Sequence, residues 1–376
     1  MRTFIIGLII LILAAGASTP WLINRGHTLE ANEMHWGTVI RPFSLQTPAV
    51  GAAAYDWKAN VQQQLDYAKT LGLKTIRFDL ESNSGLMKTM LQMTKDAGFE
   101  TVVVVDQADN NYTSTTTDFT ALGTKLGHQV TTDYPGLIDV YQLANEVTGS
   151  AVHQSTDIGA TLPNNYGLSF DKTRYTNVMH YTKAMGLAIH SAQPSAKLML
   201  TGHWVLTDIF PMLQKDGVPF DIVGWDWYST EGTNPAIRKI DGYADLNLPD
   251  YFSKMGKDFW IAEMNLDGGS ADNHLQQQAD WFAAFGANVK KDPQVKGVIE
   301  FMLPDMATEF QKGEKTGSLG LVPVTIDSKG VATYTTPKPA FNAYQTAISN
   351  HKFIDDYQPN MIDSAALSLT KLIDKK

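Results

Sequence analysis

The 376-residue chain reads as an α/β protein closed into a single (β/α)8 barrel, the TIM-barrel architecture, on three observations. Short β-branched or apolar runs alternate with longer segments of helical periodicity, the order of βα units around a parallel sheet. Eight such units can be counted after residue 30. No glycine-rich phosphate loop follows the first of them, which sets the closed barrel above an open doubly wound sheet.

The expected strands are 34–41, 75–81, 100–106, 138–147, 197–204, 221–229, 258–265 and 295–303. They show little of the polar alternation of a sheet with one wet face, so helices should cover them. Those helices are expected at 57–71, 85–97, 118–131, 174–192, 207–215, 248–255, 273–290 and 339–349. Gly72, Gly98 and Gly256 follow three of them, where a left-handed stop is wanted. Two long connections, 148–172 and 304–338, follow the fourth and eighth strands, at the barrel end where enzymes of this architecture keep their sites. The second carries a hairpin pattern, with 321–326 and 331–335 flanking the turn Asp327-Ser328-Lys329-Gly330.

Apolar residues make up 43% of the chain and charged residues 18%, an ordinary globular balance for one barrel domain over 30–350. At the N-terminus Met1-Arg2-Thr3 precedes an apolar run from Phe4 to Ala17, so 1–25 is expected to be an export signal or membrane anchor. Ala15-Gly16-Ala17 offers a cleavage site before Ser18, whereas Pro20, Trp21, Leu22 and Ile23 extend the apolar run enough for retention. Either outcome puts the barrel outside the cytoplasm and makes the membrane a partner only through that segment. Residues 351–376 read as a peripheral tail.

Formal net charge is −9 with the acids spread along the chain, which argues against a nucleic-acid partner. The absence of cysteine excludes disulfides and thiol chemistry. The nine histidines show no metal-binding spacing, and there is neither a P-loop nor a G-x-S-x-G elbow, so no metal or cofactor is expected. Catalysis falls to carboxylates at strand C-termini, which point into the barrel mouth. Two stand out: Glu146, closing Asp139-Val140-Tyr141-Gln142-Leu143-Ala144-Asn145-Glu146, and Glu263 in Phe259-Trp260-Ile261-Ala262-Glu263-Met264-Asn265.

With these residues the chain resembles the retaining glycoside hydrolases of clan A, whose acid/base follows an asparagine on strand four and whose nucleophile ends strand seven. The resemblance spans nearly the whole barrel. It implies Glu146 as acid/base and Glu263 as nucleophile. Arg77, in Thr75-Ile76-Arg77-Phe78-Asp79, matches an arginine on the family's strand two, and Tyr228 matches a tyrosine on strand six. The stretch from Gly320-Leu321-Val322 to Lys338-Pro339-Ala340-Phe341 looks like the family's closing segment. Two positions depart from the pattern: Val147 stands where many relatives have proline, and Val298-Ile299-Glu300-Phe301-Met302 lacks the tryptophan that often ends strand eight. Glu300 is a third strand carboxylate that competes for a catalytic role.

Glycosidic cleavage passes through an oxocarbenium-like state, so one carboxyl must donate a proton while another attacks, at a separation of about 5 to 5.5 Å in the retaining geometry. Arg77 would favour an ionised Glu263, Tyr228 could hold its rotamer, and Asn145 could bond a sugar 2-hydroxyl. His203 and Trp204, ending strand five, are candidate sugar contacts, and Trp36, Trp225 and Trp227 candidate stacking platforms. Each has a plainer reading as cap, ion pair or core. The expected substrate is a carbohydrate, with internal cleavage of a polysaccharide suggested by the long connections. A non-catalytic carbohydrate-binding barrel and a transglycosylase are the alternatives.

Overall fold

The computed structural model describes residues 34–41, 57–106, 112–148, 171–204, 206–238, 245–306, 313–326 and 332–349. The expected signal segment, most of the 148–172 connection, the turn at 327–330 and the tail from 351 lie outside these residues.

Eight parallel strands close on themselves: β1 (His35–Val39), β2 (Thr75–Asp79), β3 (Glu100–Val104), β4 (Val140–Ala144), β5 (Lys197–His203), β6 (Ile222–Tyr228), β7 (Asp258–Asn265) and β8 (Val295–Glu300). Each pairs with the next, and β8 returns to β1 through His35 with Gly297 and Thr38 with Glu300. The helices are α1 (Trp57–Leu71), α2 (Ser84–Asp96), α3 (Phe119–Asp133), α4 (Lys172–Ala192), α5 (Ile209–Lys215), α6 (Leu248–Ser253), α7 (Leu275–Val289) and α8 (Pro339–Ile348). A short antiparallel pair, β9 (Val324–Ile326) and β10 (Ala332–Tyr334), stands where the hairpin was expected.

Boundaries shift from the sequence expectation for local reasons. Helix α3 begins one residue late because Asp118 is its cap, accepting from the Ala121 N–H at 2.9 Å. Helix α7 begins at Leu275 because Asp272 and Asn273 hold φ of 57° and 67°. Strand β4 stops at Ala144, since Glu146 adopts φ 47° and ends the pleat. Gly72, Gly98 and Gly256 do take positive φ after their helices.

The period of two divides each strand between two cores. Outward residues such as Ile76, Phe78, Val223, Trp225 and Trp227 pack against the helices. Inward residues Val39, Val102, Val140, Met199, Ile222, Trp260, Ala262 and Ile299 fill the lumen. Inward space is limited: a Cβ on Gly224 would lie 2.7 Å from Thr201 Cγ2, and one on Gly297 would lie 2.3 Å from the Trp260 ring. The packed lumen forms a floor, so polar groups one step further along the strands gather above it.

Candidate active site

Alternation along β2 sends Ile76 and Phe78 outward and leaves Arg77 inside, where its side chain is buried. A buried guanidinium needs partners for its rigid fork of donors. Nη1 donates to Glu263 Oε1 at 2.8 Å, Nε to Gln142 Oε1 at 2.9 Å, and Nη2 to Asn145 Oδ1 at 3.0 Å. On β6, Tyr228 shares the inward face and donates its hydroxyl to Glu263 Oε2 at 3.0 Å. Both carboxylate oxygens of Glu263 therefore receive a donor. Burial, then the nearby Glu263 and Asp226 charges, lift the Tyr228 phenol well above its ordinary range, so it stays a donor. Burial opposes the Arg77 charge, but the carboxylates of Glu263, Asp226 and Asp79 outweigh it and hold Arg77 protonated.

Glu146 sits in a different setting. The chain leaves β4 through a left-handed residue, and Thr201 of β5 clamps that turn: its Oγ1 accepts from the Glu146 N–H at 2.9 Å, and its carbonyl accepts from Val147 at 2.8 Å. Asn145 Oδ1 collects bonds from Arg77, from Gln142 Nε2 at 2.8 Å and from Thr201 Oγ1 at 3.3 Å, which leaves its amide N–H groups for a ligand. Among the described residues no guanidinium forks onto the Glu146 carboxyl. His203 Nδ1 lies 3.5 Å from Oε1, a contact without hydrogen-bond geometry. Burial raises the Glu146 carboxyl above the usual range, His203 and Arg77 oppose this, and the Glu263 charge adds to it.

Glu146 and Glu263 line one cavity of about 400 Å³, together with Arg77, Asn145 and Tyr228. Another part of its wall includes Arg41, Asp79, Phe301 and Leu319, with Arg41 Nη2 paired to Asp79 Oδ2 at 2.7 Å. Asn265 at the end of β7 fixes that wall by donating to the carbonyls of Phe301 at 2.6 Å and Leu319 at 2.8 Å. Phe301 thus places an aromatic ring at the cavity in a segment without tryptophan. A larger groove of about 710 Å³ lies on the outer face of α4, lined by Tyr175, Met179 and Leu187 among others. It is mostly apolar and includes neither Glu146 nor Glu263 in its lining, so the smaller cavity is the one with convergent chemistry.

Solved glycosidases share this fold. Xylanase 10B from Thermotoga maritima matches with a TM-score of 0.55 at 13% identity, over 85% of this chain and 96% of its own. The family 1 β-glucosidase from Thermotoga maritima matches at 0.54 and 10% identity, over 85% and 99%. The GH1 β-glucosidase from Exiguobacterium antarcticum B7 matches at 0.52 and 12% identity, over 85% and 98%. No protein-family model matches the sequence, and no curated protein matches it.

The structure brings Arg77, Asn145, Glu146, Tyr228 and Glu263 to one cavity, with His203 beside Glu146. It removes the expected tryptophan platforms. Trp36 packs edge-on against Tyr344 of α8, and Trp227 lies against Phe285 of α7 while donating to the Gly232 carbonyl. Trp225 packs among Phe210 and Phe252. All three point outward because they occupy the strand positions opposite the lumen, and they belong to the core. Trp204 follows β5 at φ 60°, with its carbonyl held by Arg238 Nη1 at 2.6 Å, and it does not line the cavity. Glu300 also faces away from the site: it is buried between the barrel wall and the closing segment, bonded to Thr38 Oγ1 at 2.5 Å. It is no rival to Glu146 or Glu263.

Asp226, Gln142, Thr201 and Phe301 were missed as site residues. For Asp226 the signal was available, since in Trp225-Asp226-Trp227-Tyr228 it shares a face with Tyr228.

Proposed function

We propose that this chain is a retaining glycoside hydrolase that cleaves O-glycosidic bonds by double displacement. The carrying observation is the asymmetry of two glutamates in one cavity: Glu263 is held by two donors, one cationic, while burial favours a proton on Glu146. Donors to both Glu263 oxygens fix the carboxylate in one orientation at the cavity. Glu146 then protonates the glycosidic oxygen as Glu263 bonds to the anomeric carbon and the alcohol leaves. Water, deprotonated by Glu146, attacks the same carbon and frees Glu263 as a carboxylate. Asn145 N–H groups donate to a sugar hydroxyl in this scheme. The names of the fold neighbours, a xylanase and β-glucosidases, agree with an O-glycosidic substrate.

The substrate we favour is a polysaccharide or oligosaccharide cut at internal linkages, on the length of the connections after β4 and β8. We also take the N-terminal apolar run as an export signal or anchor, so the barrel would act outside the cytoplasm. Cell fractionation of the full chain tests this, and recovery in the cytoplasm would oppose it.

The decisive experiment is a glycan and aryl-glycoside panel with product analysis by NMR. Glu263→Gln is expected to lower kcat/KM on the order of 10⁴-fold, and the first product should keep the substrate anomer. Parent-like activity of that variant, or an inverted anomer, would sink the assignment; binding without hydrolysis across the panel would favour a non-catalytic binding barrel. Because Glu146 must carry its proton before attack, the basic limb of the kcat/KM profile should lie above the ordinary glutamate value, with activity falling as pH rises through the lifted pKa.

A further inference from the structure

Double displacement uses two carboxyls, and the lumen holds a third beside them. Asp226 is 1% exposed, and both its oxygens are buried with no N–H, hydroxyl or cationic donor among the described residues. Its Cα is the register partner of His203 on β5 and of Glu263 on β7. Arg77 from β2, Tyr228 from its own strand and Glu146 after β4 complete the charged and titratable groups facing it. One contact offers a bond: Asp226 and Glu146 meet carboxyl to carboxyl, which becomes a hydrogen bond once either carries a proton. Two adjacent buried carboxyls cannot both ionise without a large cost.

Charge balance points the same way. Arg77 supplies one guanidinium for three carboxyls. With Glu263 ionised and the other two protonated, the cluster carries no net charge from these four groups. We propose that Asp226 is a positioning residue that keeps its proton throughout turnover and donates it as a hydrogen bond to the Glu146 carboxylate while Glu146 serves as base. This rests on Glu146 being the acid/base.

The protons balance through the cycle. Glu146 gives its proton to the departing oxygen as the Glu263 oxygen bonds to the anomeric carbon, so the single anion moves from Glu263 to Glu146. The Asp226 hydroxyl then stabilises that anion. Water next yields a proton to Glu146 and its oxygen to the anomeric carbon, and the ester electron pair returns to Glu263. Asp226 neither gains nor loses a proton. Burial, with the Glu263 and Glu146 charges added, holds the Asp226 carboxyl well above its ordinary range, consistent with this role.

The test compares the full-length parent with Asp226→Asn and Asp226→Ala, reading kcat and the burst on a dinitrophenyl glycoside that the parent cleaves, and the pH profile of kcat/KM on the corresponding phenyl glycoside, whose leaving oxygen needs the Glu146 proton. The asparagine still donates, so kcat should stay within about threefold of the parent and the basic limb of kcat/KM should not move. The alanine removes a bond to a charged group: kcat should fall roughly 10- to 100-fold with a matching drop in KM, because the glycosyl-enzyme accumulates. A burst of dinitrophenolate should appear, and the basic limb should move to higher pH. Equal impairment of both variants, or an alanine variant with neither burst nor limb shift, overturns the proposal. If the alanine variant does not fold, the infrared difference between parent and Asp226→Asn decides instead: a protonated-carboxyl band at neutral pH should disappear, and its persistence overturns the assignment. That measurement needs no turnover, so a parent that cleaves no glycoside sinks the hydrolase reading separately.

Discussion

At the N-terminal mouth of the barrel, Glu100 accepts from His35 Nδ1 at 2.8 Å and from Thr75 Oγ1 at 3.2 Å. Nearby, Asp139 receives the Lys95 ammonium at 2.8 Å and the Thr101 N–H at 2.8 Å, and Asp221 caps the start of β5 through the Leu198 N–H at 3.0 Å. At the C-terminal mouth three carboxyls lie around the Arg77 guanidinium, and one of them, Asp226, has no donor among the described residues apart from a second carboxyl. The strands are the same, yet the three carboxyls named at one end each receive a donor, while at the other Asp226 receives no N–H or hydroxyl from the described residues. Saturated ends stabilise; an unsaturated end keeps protons mobile and lone pairs directed, which chemistry requires.

The largest test of this contrast is Arg77→Met. It leaves Glu263 buried without its cation, so stability should fall by about 3–5 kcal/mol in chemical denaturation, and the proposed hydrolysis should slow about 100-fold or more. Parent-like stability would mean that the upper charges are already compensated elsewhere. Tyr228→Phe is expected to act more narrowly. It removes one 3.0 Å bond to Glu263 and should lower kcat about 10- to 100-fold, with the thermal midpoint little changed.

The lower mouth should respond in the opposite sense. Glu100→Ala leaves His35, stacked on Trp260 at 4.9 Å, without its acceptor and should cost about 1–3 kcal/mol of stability with kcat unchanged. A fall in kcat with parent-like stability would erase the division between the two ends. The smallest effect concerns Glu231, which follows β6 and accepts from Trp225 Nε1 at 3.1 Å. Burial pushes its carboxyl up to about 8, with Trp225 and Arg238 opposing. Because the folded pKa exceeds the unfolded value, its contribution is favourable below the unfolded pKa and is lost as pH rises towards about 8. Glu231→Gln should therefore flatten the decline in thermal midpoint across that window, and an unchanged slope would remove Glu231 as its source.

Much of the site was legible because strand ends are legible. Glu146, Glu263, Arg77, Asn145 and Tyr228 all lie within a residue or two of a strand C-terminus or on its inward face; the period of two predicts the inward aim of Arg77 and Tyr228, whereas Glu263 turns inward next to the inward Ala262 through a register shift in β7. The tryptophans were misread for want of the same test: Trp225 and Trp227 alternate with Asp226 and Tyr228, so if Tyr228 points inward, they must point outward. Glu300 follows the same logic, since Ile299 fills the lumen and its neighbour must face the helices.

Composition and periodicity were sufficient for eight strands, eight helices and two carboxyls at the right ends, because each is a local property of the chain. Which groups partner each carboxyl was decided by the tertiary structure alone. That choice depends on burial and on distances among β2, β4, β5, β6 and β7, and no stretch of sequence contains the Arg77 fork, the Glu263 clamp and the Asp226 contact together. Electrostatic energies inside a barrel fall off with separation in space, whatever the separation along the chain.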